Sequence, residues 1–168
     1  MAVRKLEKAL EKAYGNFEKE TYAGYPVYIV EGSELPAYAV FEENTVVCSR
    51  EMWNVISTKK GAEEILLHEI EHLKRGVIDI HIDDLSDWRN VGVAYYKEEQ
   101  AINKAVAPTL YGIYEDLDPR DPEMIRGGLL ALNVSKLNEY LGKFQDLPEE
   151  VKGWIERRKA QLENYDNL

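Results

Sequence analysis

The apolar residues of this chain change their spacing near residue 60, and this change constrains the fold more than any other feature. The segments YPVYIVE (25–31), PAYAVFE (36–42) and NTVVCS (44–49) are short, rich in β-branched and aromatic residues, and separated by turn signals. They predict two or three strands, with a hairpin between the last two. From about residue 61 to Gly76 the period is helical. The predicted class is α+β, with a small, mostly antiparallel sheet in the N-terminal third and helices beyond it.

Helical spacing of apolar residues, together with residues typical of helix ends, predicts helices in most of the remaining chain. An opening helix is predicted over residues 2–14 and a second long helix over residues 91–107. Two or three further helices are expected within residues 122–142 and 148–164, each opened by an aspartate and a proline. The segment VIDIHIDDLSDW (77–88) alternates apolar and acidic residues, so both a strand and an extended connection remain open for it.

Length and composition limit the class of protein. A chain of 168 residues fits one domain, and none of its apolar runs approaches the roughly 20 residues that cross a bilayer. The N-terminus is too charged for a secretory signal, and the single cysteine, Cys48, cannot form an internal disulfide. These features favour a cytoplasmic location. The formal net charge of −10 would repel phosphate backbones, so neither nucleic acid nor a membrane is an expected partner.

Two of the three histidines lie four residues apart in EEILLHEIEHLKRG (63–76). At roughly 100° per residue, His68 and His72 leave the same face of a helix, separated by about 40°. An apolar stripe lies opposite and can anchor the helix in a core. Glu69 lies beside the histidines, where it can accept a proton from water. His-Glu-x-x-His is a pattern that suits a zinc ion with two imidazole ligands and an adjacent general base.

The motif is not decisive by itself. A chain of this composition produces the five-residue pattern in roughly one shuffle in a hundred, and Glu71 is charged where the commoner form of the motif is uncharged. The competing interpretation is a surface histidine pair on a Glu-rich helix, together with a buried acid elsewhere that pairs with Arg or Lys. A metal site therefore requires a third ligand from another part of the chain.

The second long helix offers such a ligand. Helical phase places Glu98 in the middle of an apolar stripe that includes Ala94, Ala101 and Ala105, whereas Glu99 falls on the polar side. A lone carboxylate in such a stripe is costly unless it is paired, protonated or bound to a metal. We therefore predict Glu98 as the third metal ligand. The remaining histidine, His81, is poorly spaced for this role.

On these residues the sequence resembles the gluzincin metallopeptidases, in particular the minigluzincins and the ImmA/IrrE-like peptidases. The resemblance covers roughly residues 25–107 and includes HEIEH and the Glu-x-x-Ala at residues 98–101. It implies that His68, His72 and Glu98 bind Zn²⁺ and that Glu69 is the general base. It also implies a catalytic core of about residues 1–110 with a helical extension over 111–168, a small sheet packed on the two site-bearing helices, and an edge strand that binds an extended peptide or protein substrate.

Two other functions remain open. A non-catalytic zinc-binding regulatory or interaction module would have a closed site, with Asp79, Asp83 or His81 as a fourth protein ligand. A di-iron bundle is disfavoured because it needs a second Glu-x-x-His, which the sequence lacks.

Overall fold

The computed structural model describes residues 2–167. Within them lie four strands and eight helices, and the class is α+β, as predicted. The strands are β1 (Phe17–Tyr22), β2 (Tyr25–Val30), β3 (Ala37–Val40) and β4 (Thr45–Ser49). The helices are α1 (Ala2–Tyr14), α2 (Arg50–Val55), α3 (Lys60–Arg75), α4 (Asn90–Val106), α5 (Pro108–Tyr114), α6 (Pro122–Leu130), α7 (Val134–Lys143) and α8 (Glu149–Asp166). Single turns of 3-10 helix occur at Phe41–Glu43 and Ile82–Asp84.

The four strands form one mixed sheet in the order β1-β2-β4-β3. The outer pairings are antiparallel and the central pairing of β2 with β4 is parallel. The predicted hairpin between β3 and β4 is confirmed; it turns through Asn44, which has a left-handed φ of 50°. Strand β1 was not predicted, because FEKETY is almost wholly exposed and lacks an apolar signal.

The chain divides into two compact units, and the division falls within α4. The first unit extends to Val77 and includes Ile102–Tyr114. Alternate residues of β2 and β4 face opposite sides of its sheet, so each face has its own core. One core joins Val27, Ile29, Val46 and Cys48 to Met52 and to residues of α3. The other joins Tyr28, Val30 and Val47 to Leu6 and Leu10 of α1.

The second unit comprises Ile78–Ala101 and Glu115–Asn167, and its core joins apolar residues of its helices to Ile80, Ile82 and Leu85 of the connection at residues 77–88. This connection contains the 3-10 turn at Ile82–Asp84 and no strand. Lysines of α7 donate to its backbone carbonyls: Lys136 to Ile80 and Lys143 to Ile82, both at 2.9 Å. The two or three helices predicted within residues 122–142 and 148–164 are three. Helices α6 and α7 are separate because Asn133 caps a new helix through its side chain.

Within the described residues, no helix combines the length and the apolar character needed to cross a bilayer.

Candidate metal centre

Helix α3 carries both histidines. Lys74 and Arg75 lie in its last turn, where positive charge complements the helix dipole. Gly76 ends the helix, as predicted, with a φ of 86° and an N–H donated to the carbonyl of His72. The apolar face of α3 packs in the core formed with the sheet and comprises Leu66, Ile70 and Leu73. This packing fixes the rotation of α3 and so determines where its histidines point.

The two histidine side chains lie together on a buried face of α3. His68 is 6% exposed and His72 is 7% exposed. Their ring centroids are 4.8 Å apart and the ring planes are nearly perpendicular, at 76°. The ring of Phe41, directly after β3, meets the ring of His72 edge-on at 6.3 Å. The predicted common face is confirmed, and the alternative of a surface histidine pair is wrong because both rings are buried.

Asn103 of α4 sets the orientation of His68. Its Oδ1 lies 2.5 Å from Nδ1 of His68, and the residue is fully buried. Because an amide oxygen only accepts hydrogen bonds, Nδ1 of His68 is the donor in this pair. A hydrogen bond at one ring nitrogen that orients the other towards a metal is typical of metal-binding histidines. The sequence did not point to Asn103, because a lone asparagine carries no signal for this role.

Glu99 completes a group of three potential metal ligands. His68, His72 and Glu99 each place one ligand atom within 4.8 Å of those of the other two. Glu99 lies one turn before Asn103 on α4 and is 8% exposed. No other group of three or more His, Cys, Asp or Glu side chains with this spacing occurs in the part of the chain that the structure describes. Two imidazoles and a carboxylate so placed are positioned to bind a metal ion.

The sequence pattern predicts Glu98 as the acidic ligand, but the structure brings its neighbour Glu99 to the histidines instead. Glu98 is half-buried and is not a member of the group. The physical reason is the rotation of α4. The buried positions of this helix are Val91, Gly92, Glu99, Ile102 and Asn103.

The alanines of α4 are the reason that its buried face was predicted incorrectly. Ala101 and Ala105 were expected on the buried stripe with Glu98, but both are exposed. Alanine is tolerated on either side of a helix, so it marks a face weakly. Polar Glu99 and Asn103 are buried instead. Asn103 is compensated by its hydrogen bond to His68.

A buried acid on α3 was also missed. Glu64 lies one turn before His68 on the same face and is 3% exposed. Its Oε1 accepts from the backbone N–H of Thr109 at 3.3 Å, in the first turn of α5. Its Oε2 is buried and has no hydrogen-bond partner among the described residues. Glu64 therefore places a buried carboxyl group with one unbonded oxygen one helical turn from His68. Its spacing of four residues before His68 was the available sequence signal.

The residues proposed as a fourth protein ligand do not join this group. His81 and Asp79 form an exposed ion pair at 3.1 Å, and Lys136 donates to Asp79 at 3.0 Å. The hydrogen bond from Lys136 and the charge of His81 lower the pKa of Asp79. Asp83 is exposed. Glu69, the predicted general base, is half-buried and directly follows His68 on α3.

No protein-family model, curated protein or solved structure matches this chain. The likeness to the gluzincins therefore depends on the motif residues alone.

Proposed function

We propose that this chain is a zinc-dependent peptidase in which His68, His72 and Glu99 hold the metal and Glu69 is the general base. The observation that carries the proposal is the group of three ligand atoms within 4.8 Å of one another. Helix α3 supplies two members and α4 the third, so the tertiary structure assembles a set that the sequence separates by 27 residues or more.

The residues fit zinc in their chemistry. Zinc sites that act in catalysis have three protein ligands drawn from His, Glu, Asp and Cys, and two His with one Glu is a known set. Harder cations such as Mg²⁺ and Ca²⁺ prefer sites made of oxygen ligands. The hydrogen bond between Asn103 and His68 Nδ1 supports the assignment because it leaves Nε2 to bind the ion.

Glu69 carries the proton transfers in this proposal. A zinc ion held at this site would lower the pKa of water and polarise a substrate carbonyl. Glu69 follows His68 directly on α3, is half-buried and is not one of the three ligands. It would accept a proton from the attacking water and then donate that proton to the leaving amine, which are the two proton transfers of amide hydrolysis.

A peptide is the substrate class that the first unit fits best. Strand β3 is at the edge of the sheet and pairs only with β4 among the described strands. Phe41 follows β3 directly and contacts the ring of His72. An extended peptide that paired with the outer edge of β3 would therefore run beside the candidate centre.

A non-catalytic zinc module is the second candidate, and the burial of the site favours it. His68, His72 and Glu99 are all less than a tenth exposed, and structural zinc sites are closed. The two candidates differ in what Glu69 does. Only a peptidase needs Glu69 as a base.

The test combines metal content with cleavage. Protein purified without metal-affinity resin is analysed by mass spectrometry for bound metal, then incubated with a mixture of synthetic peptides whose fragments are identified. We expect about one zinc per chain and cleavage that a chelator abolishes. Glu69→Gln should keep the zinc and lose roughly 10²–10⁴-fold of the activity. Zinc without cleavage would favour the non-catalytic module, and absence of metal after incubation with Zn²⁺ would exclude both.

A further inference from the structure

The second unit contains a cluster of arginines between α6 and α8. Arg126 of α6 and Arg157 and Arg158 of α8 line a cavity of about 50 Å³. Trp154 and Leu130 form apolar parts of its wall. Among the described residues, no acidic side chain lines this cavity. The result is a local concentration of positive charge in a chain whose net charge is −10.

Two of these arginines lack the partner that an acidic chain usually provides. Carboxylates outnumber cationic side chains here by 31 to 21, and an exposed arginine such as Arg75 pairs with Glu71 at 3.0 Å. Within residues 2–167, neither Arg126 nor Arg157 has a carboxylate oxygen within 4.0 Å. Two acidic residues of α8 pair with lysines instead. The two guanidinium groups therefore retain donors for an anion.

The positions of the two arginines are defined by their neighbours. The guanidinium of Arg126 lies over the ring of Trp154, 5.7 Å from its centroid. The guanidinium of Arg157 lies over Gly153, with a nitrogen 3.4 Å from where a Cβ would stand. Both guanidinium groups line the cavity, and neither of these contacts neutralises its charge.

Arg158 has a different role. Its Nη2 donates at 3.3 Å to the carbonyl of Leu130, the last residue of α6. Helix ends leave such carbonyls without an intrahelical partner, so this bond caps α6. Arg158 therefore ties the two helices together and adds charge to the wall of the cavity.

The size and lining of the cavity indicate the ligand. A water molecule needs roughly 10–15 Å³, so a cavity of about 50 Å³ accommodates roughly three to five water-sized groups, which suits a phosphate group. Guanidinium groups bind phosphate oxygens in pairs, and two of them match a dianion. Leu130 is 48% exposed beside the opening and, with Trp154, offers an apolar surface.

We propose that this cavity binds the phosphate of a small phosphomonoester, with Arg126 and Arg157 on the phosphate and an apolar or aromatic body against Trp154 and Leu130. The site is independent of the candidate metal centre and needs none of its residues.

Isothermal titration calorimetry of the full chain with phenyl phosphate, at constant ionic strength, tests the proposal. Inorganic phosphate and phenol serve as comparison ligands. We expect phenyl phosphate to bind more tightly than either, and Arg126→Gln with Arg157→Gln to weaken it at least about tenfold. The matched control is Arg75→Gln with Arg89→Gln. It removes the same charge, and Arg89 also lies over a tryptophan ring but pairs with Asp87.

Several outcomes would overturn the proposal. Equal weakening by the two double variants would show a general effect of net charge. Undetectable binding at millimolar phenyl phosphate, or binding only to vesicles that contain phosphatidic acid, would also contradict it. Because Arg157 is exposed, Arg157→Gln alone should keep the fold. If the double variant unfolds, the affinity of this single variant for phenyl phosphate tests the proposal instead.

Discussion

Helices α3 and α4 both supply side chains to the candidate metal centre, but their sequences mark their inner faces differently. On α3 the apolar residues Leu66 and Ile70 are buried, and the histidines follow from that phase. On α4 the buried positions include Glu99 and Asn103, while Ala101 is exposed. The spacing of apolar residues therefore identifies the buried face of a helix only where that face is made of apolar residues.

The difference has a physical basis. A polar side chain can be buried when other groups satisfy its hydrogen bonds, and those groups come from a different part of the chain. Asn103 is buried because it bonds to His68, 35 residues earlier. The local sequence of α4 does not indicate that Asn103 has this distant partner. Four experiments test this contrast between the helices.

The largest effect is expected for Glu99→Ala, compared with Glu98→Ala. Loss of one of three ligands should reduce zinc affinity by more than about 100-fold, whereas the half-buried neighbour should have little effect. Competition with a chromogenic chelator measures both affinities. The reverse order would show that Glu98 is the ligand, as the sequence pattern predicted.

A smaller loss is expected for Asn103→Leu. This variant keeps the branched shape of the side chain but removes the hydrogen bond to Nδ1 of His68, so zinc affinity should fall roughly 10- to 100-fold. The same chelator competition measures it, and thermal unfolding of the metal-free protein is the control for a general loss of packing. Unchanged affinity would mean that Asn103 has a structural role alone.

Substitution of glycine by alanine should have opposite effects on the free energy of unfolding in α3 and in α4. A Cβ at Gly92 of α4 would lie 2.7 Å from the carbonyl oxygen of Pro119 and 2.9 Å from the backbone nitrogen of Ile125. Gly92→Ala should therefore lower the free energy of unfolding by about 1–3 kcal/mol. Gly61 of α3 has no such neighbour within 4 Å, so Gly61→Ala should raise it by about 0.5–1 kcal/mol. Urea denaturation measures both, and a stabilising Gly92→Ala would contradict the close packing of α4.

The smallest effect is expected for Ala101→Lys. Because Ala101 is exposed, the free energy of unfolding should change by no more than about 0.5 kcal/mol. Ala62→Lys on α3 is the positive control, since Ala62 is buried in the core with the sheet and should not accept a charge. If Ala101→Lys were as damaging as Ala62→Lys in urea denaturation, the rotation of α4 described above would be wrong.

Local signals predicted much of the fold. The strands β2, β3 and β4, the hairpin, and helices α1, α3 and α4 agree with apolar spacing and terminal residues. Strand β1 and the short helices α2 and α5 were not predicted. Strand β1 is an edge strand and is largely exposed, so it has no apolar pattern. Helices α2 and α5 have six and seven residues, too few to show a helical period.

The sequence by itself determined the class of the fold and the pair of histidines on one helical face, because both depend on residues close together in the chain. Only the tertiary structure decided which acid joins them, which amide orients His68, and that Glu64 is buried one turn away. These are choices between neighbouring positions that differ by about 100° of helix rotation. Packing against distant parts of the chain sets that rotation, and the local pattern of α4 does not encode it.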